Sequence, residues 1–94
     1  MATYNVLCCT HRTLTANVVD TVNISNSQSY VRVTNRNALN DLYCRVDGTD
    51  PTVLGDNSFV VQQNQEKVFG VPDTANPQVR LISSFGVAYS VEPA

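Results

Sequence analysis

The sequence predicts an all-β protein: a single-domain antiparallel β-sandwich, or small barrel, of about seven to nine short strands. Three observations support this fold class. Apolar and polar residues alternate in short runs, for example at 30–33, 79–82 and 87–91. Asn, Asp, Gly and Pro residues interrupt these runs at intervals of roughly 8–12 residues. Finally, no long window shows the periodicity of an amphipathic helix.

The first half of the chain divides into extended segments that end at turn-forming residues. Segments 4–10 and 13–17 are rich in Thr and apolar residues, and the polar cluster Asn26-Ser27-Gln28 stops the third segment. Asn35-Arg36-Asn37 closes the fourth segment, and Asp47-Gly48 closes the fifth, with strong turn chemistry. The predicted strands of this half are 4–10, 13–17, 21–25, 29–34 and 42–46.

The second half begins with the longest irregular stretch, residues 48–57. Beyond it, the polar residues 63–66 connect two strands as a hairpin, and Phe85-Gly86 turns the last pair. The predicted strands of this half are 58–62, 67–71, 78–84 and 87–92.

Alternation also assigns faces, because successive side chains in a strand point to opposite sides of the sheet. One apolar set is expected to face inward and form the core: Leu14, Ile24, Val31, Val33, Leu42, Cys44, Val46, Phe59, Val61, Val79, Leu81, Val87, Tyr89 and Val91.

Composition limits the classes of partner. Only 15% of the 94 residues are charged and the net charge is −2, whereas an average soluble domain has about 25% charged residues. The few Arg residues are scattered, which argues against a nucleic-acid partner, since a phosphate backbone requires clustered basic side chains. The neutral Asn- and Thr-rich surface suits contact with protein or sugar.

The three cysteines, Cys8, Cys9 and Cys44, are interpreted as reduced, buried apolar residues of a protein made in a cytosol. Adjacent cysteines in a strand point to opposite faces, so a bond between Cys8 and Cys9 would be strained. We expect no secretion signal, because no charged region is followed by an apolar run. We also expect no membrane span, because every apolar run is short.

Two groups of potential metal ligands favour structural roles instead. Residues Cys8-Cys9-Thr10-His11, with Cys44 downstream, lack the paired spacing of a zinc site, so an exposed His at a strand end is preferred. Asp47, Asp50 and Asp56 crowd one loop, but their spacing does not match a calcium-binding loop. Turn formation explains these three residues adequately, and no metal or cofactor is expected.

The sequence predicts no enzymatic activity. Nucleophilic catalysis would need His11 beside an exposed Ser or Cys and an orienting acid, and no Gly-rich elbow exposes such a nucleophile. Asn23-Ile24-Ser25 matches a glycosylation acceptor, and without a secretion signal the match is interpreted as chance.

Val53-Leu54, between Pro51 and Gly55, is an apolar pair in an otherwise polar loop. Two interpretations remain open. The pair either covers one end of the sandwich or inserts into a partner as an anchor, since buried apolar tips contribute much of the energy of an interface.

Several short motifs resemble a family of small all-β virion proteins of actinobacterial tailed bacteriophages. The matching stretches are Arg-Val-Asp-Gly-Thr at 45–49, Pro-Thr-Val at 51–53, Gly-Asp at 55–56 and Val-Val at 60–61. A late Val-Arg-Leu-Ile-Ser-Ser strand and Ala-Tyr-Ser-Val-Glu follow. The resemblance covers residues 13–92, and the segment Cys8 to Arg12 has no counterpart in it.

This resemblance implies a capsid decoration (cement) protein on the exterior of the virion, synthesised in the bacterial host cytoplasm. Its expected partners are the major capsid protein and further copies of itself, with no nucleic acid and no membrane. Two alternatives remain: a tail or fibre module that binds a host sugar or receptor, and a tail or connector component.

On this hypothesis, residues 1–12 form an N-terminal strand or arm that can contact a partner, and residues 13–94 form the sandwich. The candidate interface residues lie in the arm and in the irregular loop: Tyr4, Asn5, Val6, Leu7, Asp50, Pro51, Thr52, Val53 and Leu54.

Overall fold

A computed structural model describes residues 2–5, 10–24, 29–72 and 77–94 of the chain. These residues form nine strands: β1 (Ala2–Asn5), β2 (Thr10–Thr13), β3 (Asp20–Asn23), β4 (Tyr30–Asn35), β5 (Leu42–Arg45), β6 (Phe59–Val61), β7 (Glu66–Gly70), β8 (Gln78–Ile82) and β9 (Ala88–Pro93). The described residues contain no helix, and therefore none that could cross a membrane.

The strands form two sheets that pack face to face, which confirms the predicted all-β sandwich. The five-stranded sheet has the order β1-β3-β8-β5-β6, and the four-stranded sheet has the order β2-β9-β4-β7. All pairs of neighbouring strands are antiparallel except β1 and β3, which run parallel. The described part of segment 1–12 thus lies within the sheets, with β1 at the edge of one and β2 at the edge of the other.

Alternation places the core between the two sheets. In β4, Val31 and Val33 are buried and face inward, while Tyr30 is exposed. Thirteen buried side chains form one apolar cluster: Leu14, Val22, Ile24, Val31, Val33, Leu42, Cys44, Val61, Val79, Leu81, Val87, Tyr89 and Val91. Burial raises the pKa of the Cys44 thiol to about 12, so this cysteine is an unreactive apolar residue of the core.

Phe59 differs from the prediction: it was assigned to the core, yet 52% of it is exposed. Alternation does place it on the same face as Val61, but β6 is an edge strand, where the opposite sheet covers the inner face incompletely. Its ring instead packs against Phe69 on the edge strand β7, with centroids 5.3 Å apart. Val46 is only partly buried and packs against the cluster, and the prediction did not include Val22.

The prediction of a strand at 13–17 is wrong. Strand β2 ends at Thr13, and the Leu14 amide donates to the Val87 carbonyl. The chain then turns, with the Val18 amide donating to the Thr15 carbonyl and Asn17 in the left-handed region at φ 61°. Asn tolerates this backbone conformation better than most residues, so Asn17 accounts for the turn.

Asp20 and Tyr89 form a polar pair in the core that joins the two sheets. The Tyr89 hydroxyl, on β9, donates to Asp20 Oδ2, on β3, over 2.9 Å. Both side chains are buried. Burial raises the pKa of Asp20, and the hydrogen bond from Tyr89 opposes this rise only in part.

The pair leads to a prediction about stability and pH. Because the native state raises the pKa of Asp20, it binds the proton more tightly than the unfolded state does. The contribution of Asp20 to stability is therefore greatest below the ordinary pKa of Asp and falls as pH rises through the raised value. We expect Asp20→Asn, which mimics the protonated acid, to gain stability relative to the parent chain between acidic and neutral pH.

Urea unfolding of the parent chain and of Asp20→Asn across this pH range, followed by circular dichroism, measures the difference between their free energies of unfolding. Asp47 also titrates, but it is present in both chains and cancels in the comparison. Parallel stability curves for the two proteins would contradict the assignment.

Candidate functional site: a cleft with an apolar rim

The irregular stretch of residues 46–58, here called the covering loop, lies across the outer face of the five-stranded sheet. Asp47 forms an isolated bridge with Gln78 at the start of β8. Asp50 then pairs with Arg80 on the same strand, at 2.7 Å between Oδ1 and Nη1. The next residue, Pro51, is buried. These contacts attach the loop to the sheet, and its tip lies beside the start of β5.

Hydrogen bonds within the loop hold its tip in one conformation. The Thr52 amide donates to Ser58 Oγ over 2.9 Å, and the Gly55 amide donates to the Thr52 carbonyl over 3.0 Å. A Cβ atom at residue 55 would overlap the Thr52 hydroxyl, so a larger residue here would force the Thr52 side chain to move. The tip, Val53-Leu54, is therefore presented by a defined turn.

The acidic residues of this loop serve its structure. The Arg45 guanidinium pairs with Asp47 and holds the pKa of that carboxyl well below its usual range, with help from the Thr49 hydroxyl. Asp50 is neutralised by Arg80. In the described ranges, no three His, Cys, Asp or Glu side chains are grouped as metal ligands. Cys8 and Cys9 lie outside those ranges, and His11 is exposed on β2.

The tip of the covering loop forms one wall of a cleft of about 270 Å³. The other walls are the loop between β4 and β5 and the turn between β8 and β9. Ten residues line this cleft: Leu39, Asn40, Asp41, Tyr43, Val53, Leu54, Gln63, Ser83, Ser84 and Phe85.

Three large apolar side chains at the cleft project into solvent. Leu39 is 79% exposed, Leu54 is 81% exposed and Phe85 is 56% exposed. Single exposed apolar residues are common on protein surfaces, but three around one depression form a patch of the kind that marks interaction sites. Burying such side chains against a partner is favourable, since each contributes about 1.5–3 kcal/mol when it is fully removed from water.

Hydrogen bonds between backbone groups and the side-chain amides of Asn37 and Gln63 fix the position of Leu39. Asn37 Oδ1 accepts hydrogen bonds from the amides of Leu39 and Asn40, at 2.8 and 2.9 Å. Gln63 Nε2 donates to the Leu39 carbonyl over 3.0 Å. The backbone around Leu39 is thus held on both sides, and its side chain is left free to project.

Phe85 is positioned by a buried serine. Ser83 Oγ donates to the Asp41 carbonyl over 2.9 Å and accepts from the Phe85 amide at 3.2 Å. This single hydroxyl connects the turn that carries Phe85 to the loop before β5, so the two walls of the cleft are joined.

Leu54 has an unusual backbone conformation, with φ at +58°. The other positive-φ positions of the described chain are Asn17, Asn64 and Gly48, which are residue types that tolerate this region. Leucine tolerates it poorly, because its Cβ crowds the backbone. A strained residue that is also highly exposed is a candidate for contact with a partner.

The floor of the cleft is the ring of Tyr43, on the outer face of the five-stranded sheet. Its neighbours across the sheet are Val60 and Ile82. Although it faces outward, Tyr43 is buried. Burial raises the pKa of Tyr43, and the negative charge of Asp41 adds to the rise, so the phenol is neutral at physiological pH.

The structure brings together only part of the predicted interface. Val53 and Leu54 line the cleft, whereas Asp50, Pro51 and Thr52 attach and shape the loop that carries them. Tyr4 and Asn5 lie in β1, paired with Val22 and Asn23 of β3, far along the sheet from β5. Val6 and Leu7 lie outside the described residues.

Sequence reasoning missed Leu39, Tyr43 and Phe85 as site residues. The sequence does contain a signal for two of them: Asn35-Arg36-Asn37 and Ser83-Ser84 are clusters of residues that bond nearby backbone, and each precedes one of the exposed apolar side chains. Such clusters indicate rigid loops but do not show that the loops meet.

The outer face of the four-stranded sheet carries the other polar cluster. His11 Nδ1 and Ser90 Oγ share a hydrogen bond of 2.6 Å. Arg32 pairs with Glu66 at 2.8 Å and with Glu92 at 3.4 Å. In the five-stranded sheet, Asn23, of the glycosylation match, accepts a hydrogen bond from Gln78 Nε2. In both sheets these side chains bind one another across neighbouring strands, which stabilises the sheet that carries them.

No protein-family model, curated protein or solved structure matches this chain.

Proposed function

We propose that this chain is a structural protein of a tailed-phage virion, a capsid decoration protein that binds the outside of the head and bridges major capsid subunits. The observation that carries the binding role is the cleft with its exposed Leu39, Leu54 and Phe85. The resemblance at residues 45–61 and 79–92 supplies the capsid as the partner.

The physical character of the molecule supports a role in adhesion. Its surface is sparsely charged, so contact with another protein removes few ionic groups from water. The loops of the cleft are held by hydrogen bonds before binding, which reduces the entropy lost on association. A copy that binds the assembled shell and not its dissociated parts stabilises the shell by mass action, and many copies multiply this effect.

The proposal is tested by locating the protein on particles. Antibody labelling in electron micrographs of purified virions is expected to mark the outer surface of the head. Heads from a phage lacking the gene should bind the purified protein and then withstand higher temperatures before releasing DNA. Label confined to the tail, or protein absent from finished particles, would contradict the proposal.

The contribution of the cleft is measured separately with variants. A triple variant, Leu39→Ser, Leu54→Ser and Phe85→Ser, should lose most binding to such heads. Val68→Ser is the matched control, since Val68 is 53% exposed on β7, in the four-stranded sheet. If the triple variant bound heads as tightly as Val68→Ser does, head attachment would belong to another surface.

A further inference from the structure

The cleft contains a single charged residue as well as an apolar rim. Of the ten described residues that line it, Asp41 alone carries a charge. The ion pairs found among the described residues use the carboxylates of Asp47, Asp50, Glu66 and Glu92, and none of them involves Asp41. Within the described part of the chain, the Asp41 carboxylate therefore has no cation as a partner, and it lies near Tyr43 and the exposed apolar side chains.

The position of Asp41 is well defined. Its carbonyl accepts the Ser83 hydroxyl, and the next residue, Leu42, begins β5 and is buried in the core. Asp41 is itself partly buried, so its charge is screened less than that of a fully exposed acid. A cation brought close to Asp41 would therefore be attracted more strongly than a cation beside an acid on an open surface.

The size of the cleft restricts its occupant. A volume of about 270 Å³ is slightly below the range of roughly 300–1,000 Å³ in which proteins enclose small-molecule ligands. Its walls combine leucine, valine and phenylalanine side chains with asparagine, glutamine, serine and Asp41, and the Tyr43 ring is buried beneath them. This space fits one or two side chains of a protein segment, with the remainder of the segment lying across the surface.

We propose that the cleft binds an extended segment of a partner protein in which an apolar side chain enters between Leu39, Leu54 and Phe85 while a neighbouring Lys or Arg pairs with Asp41. This inference rests on the part of the proposed function that makes the cleft a protein-binding surface. A second copy of this chain is a poorer occupant, because the chain itself has a net charge of −2.

A random-heptapeptide display library selected on the folded chain tests this chemistry directly. We expect enriched sequences to place Leu, Ile, Met or Phe within two residues of Lys or Arg. Selection on Asp41→Asn should keep the apolar preference and lose the basic one. Selection on the Leu39→Ser, Leu54→Ser and Phe85→Ser variant should yield no enrichment.

The inference would be overturned by enrichment without a basic residue, by the same basic preference on Asp41→Asn, or by no enrichment on the parent chain. Concentration-dependent dimerisation that the triple serine variant abolishes would also overturn it, because a second copy would then be the occupant. Thermal unfolding of each variant confirms that it is folded, as expected because Leu39, Leu54 and Phe85 are exposed and Asp41→Asn keeps the size of the side chain.

A quantitative check uses the best enriched peptide and an analogue with Gln in place of its basic residue. The parent chain should bind the basic peptide about two- to fivefold more tightly than the analogue. This ratio should approach one in Asp41→Asn, and it should fall as salt concentration is raised. A ratio unchanged by Asp41→Asn would remove Asp41 from the site.

These measurements use no phage particles, so they fail or succeed independently of the decoration proposal. If the protein is absent from virions but prefers apolar-basic peptides, the decoration role is wrong and the chemistry of the cleft stands. If the protein coats heads but shows no such preference, the proposed chemistry of the cleft is wrong and the decoration role stands.

Discussion

Asn35→Ala should lower the free energy of unfolding by about 3 kcal/mol. Asn35 is fully buried at the end of β4. Its Nδ2 donates to the carbonyls of Asn40 and Val61, both over 2.9 Å, and its Oδ1 accepts the Asn37 amide at 2.9 Å. Truncation leaves these three backbone groups without their partner, and each one that water cannot reach costs roughly 1–3 kcal/mol.

Asn37→Ala is the matched control. Asn37 is the same residue type in the same loop, and its side chain also accepts two backbone amides. It is only partly buried, so water can replace those bonds, and we expect a loss of at most about 1 kcal/mol. Urea unfolding followed by circular dichroism measures both variants. A loss for Asn35→Ala no larger than for Asn37→Ala would show that the buried amide is not a main source of stability.

Asn35 also connects the fold to the site. The Val61 carbonyl belongs to the edge strand β6, and the Asn40 carbonyl belongs to the loop that carries Leu39. One side chain therefore holds an edge strand in place and positions a wall of the cleft. In a small domain, whose total stability is typically about 5–15 kcal/mol, such double use makes a single substitution costly.

The sandwich was predictable because alternation is a local signal. In β4 and β8, inward valine or leucine alternates with outward residues that are mostly polar, and the burial of Val31, Val33, Val79 and Leu81 follows directly. Phe59 marks the limit of this reasoning. Alternation assigns a side chain to a face, but whether the opposite sheet covers that face depends on the order of the strands, which local pattern does not reveal.

The cleft was predictable only in the part that belongs to one loop. Val53-Leu54 is visible in sequence as an apolar pair between Pro51 and Gly55. Its other walls meet it through contacts between distant residues, such as Ser83 with Asp41 and Gln63 with Leu39. These bonds depend on β5 lying between β6 and β8, so the site becomes visible only once the strand order is known.

The second large effect is expected at Leu54, where stability and binding should change in opposite directions. Leu54→Asn places a residue that tolerates positive φ at +58°. The left-handed conformation costs an ordinary L-residue about 1–2 kcal/mol, and Asn recovers part of this. We expect the melting temperature to rise by about 3–6 °C, corresponding to a gain of somewhat under 1 kcal/mol in a domain of this size.

The same substitution removes an exposed apolar side chain from the rim of the cleft. Loss of such an anchor from the middle of an interface typically costs about 2 kcal/mol or more, so affinity for heads or for the enriched peptide should fall by at least about tenfold. Leu39→Asn is the matched control, because Leu39 is equally exposed but is not among the positive-φ residues of the described chain. It should weaken binding without raising the melting temperature.

If Leu54→Asn destabilised the chain, or stabilised it while binding stayed intact, the conformation of Leu54 would have no connection with recognition. A rise in stability together with a loss of affinity, at Leu54 and not at Leu39, would identify the strained leucine as a residue retained for its partner rather than for the fold.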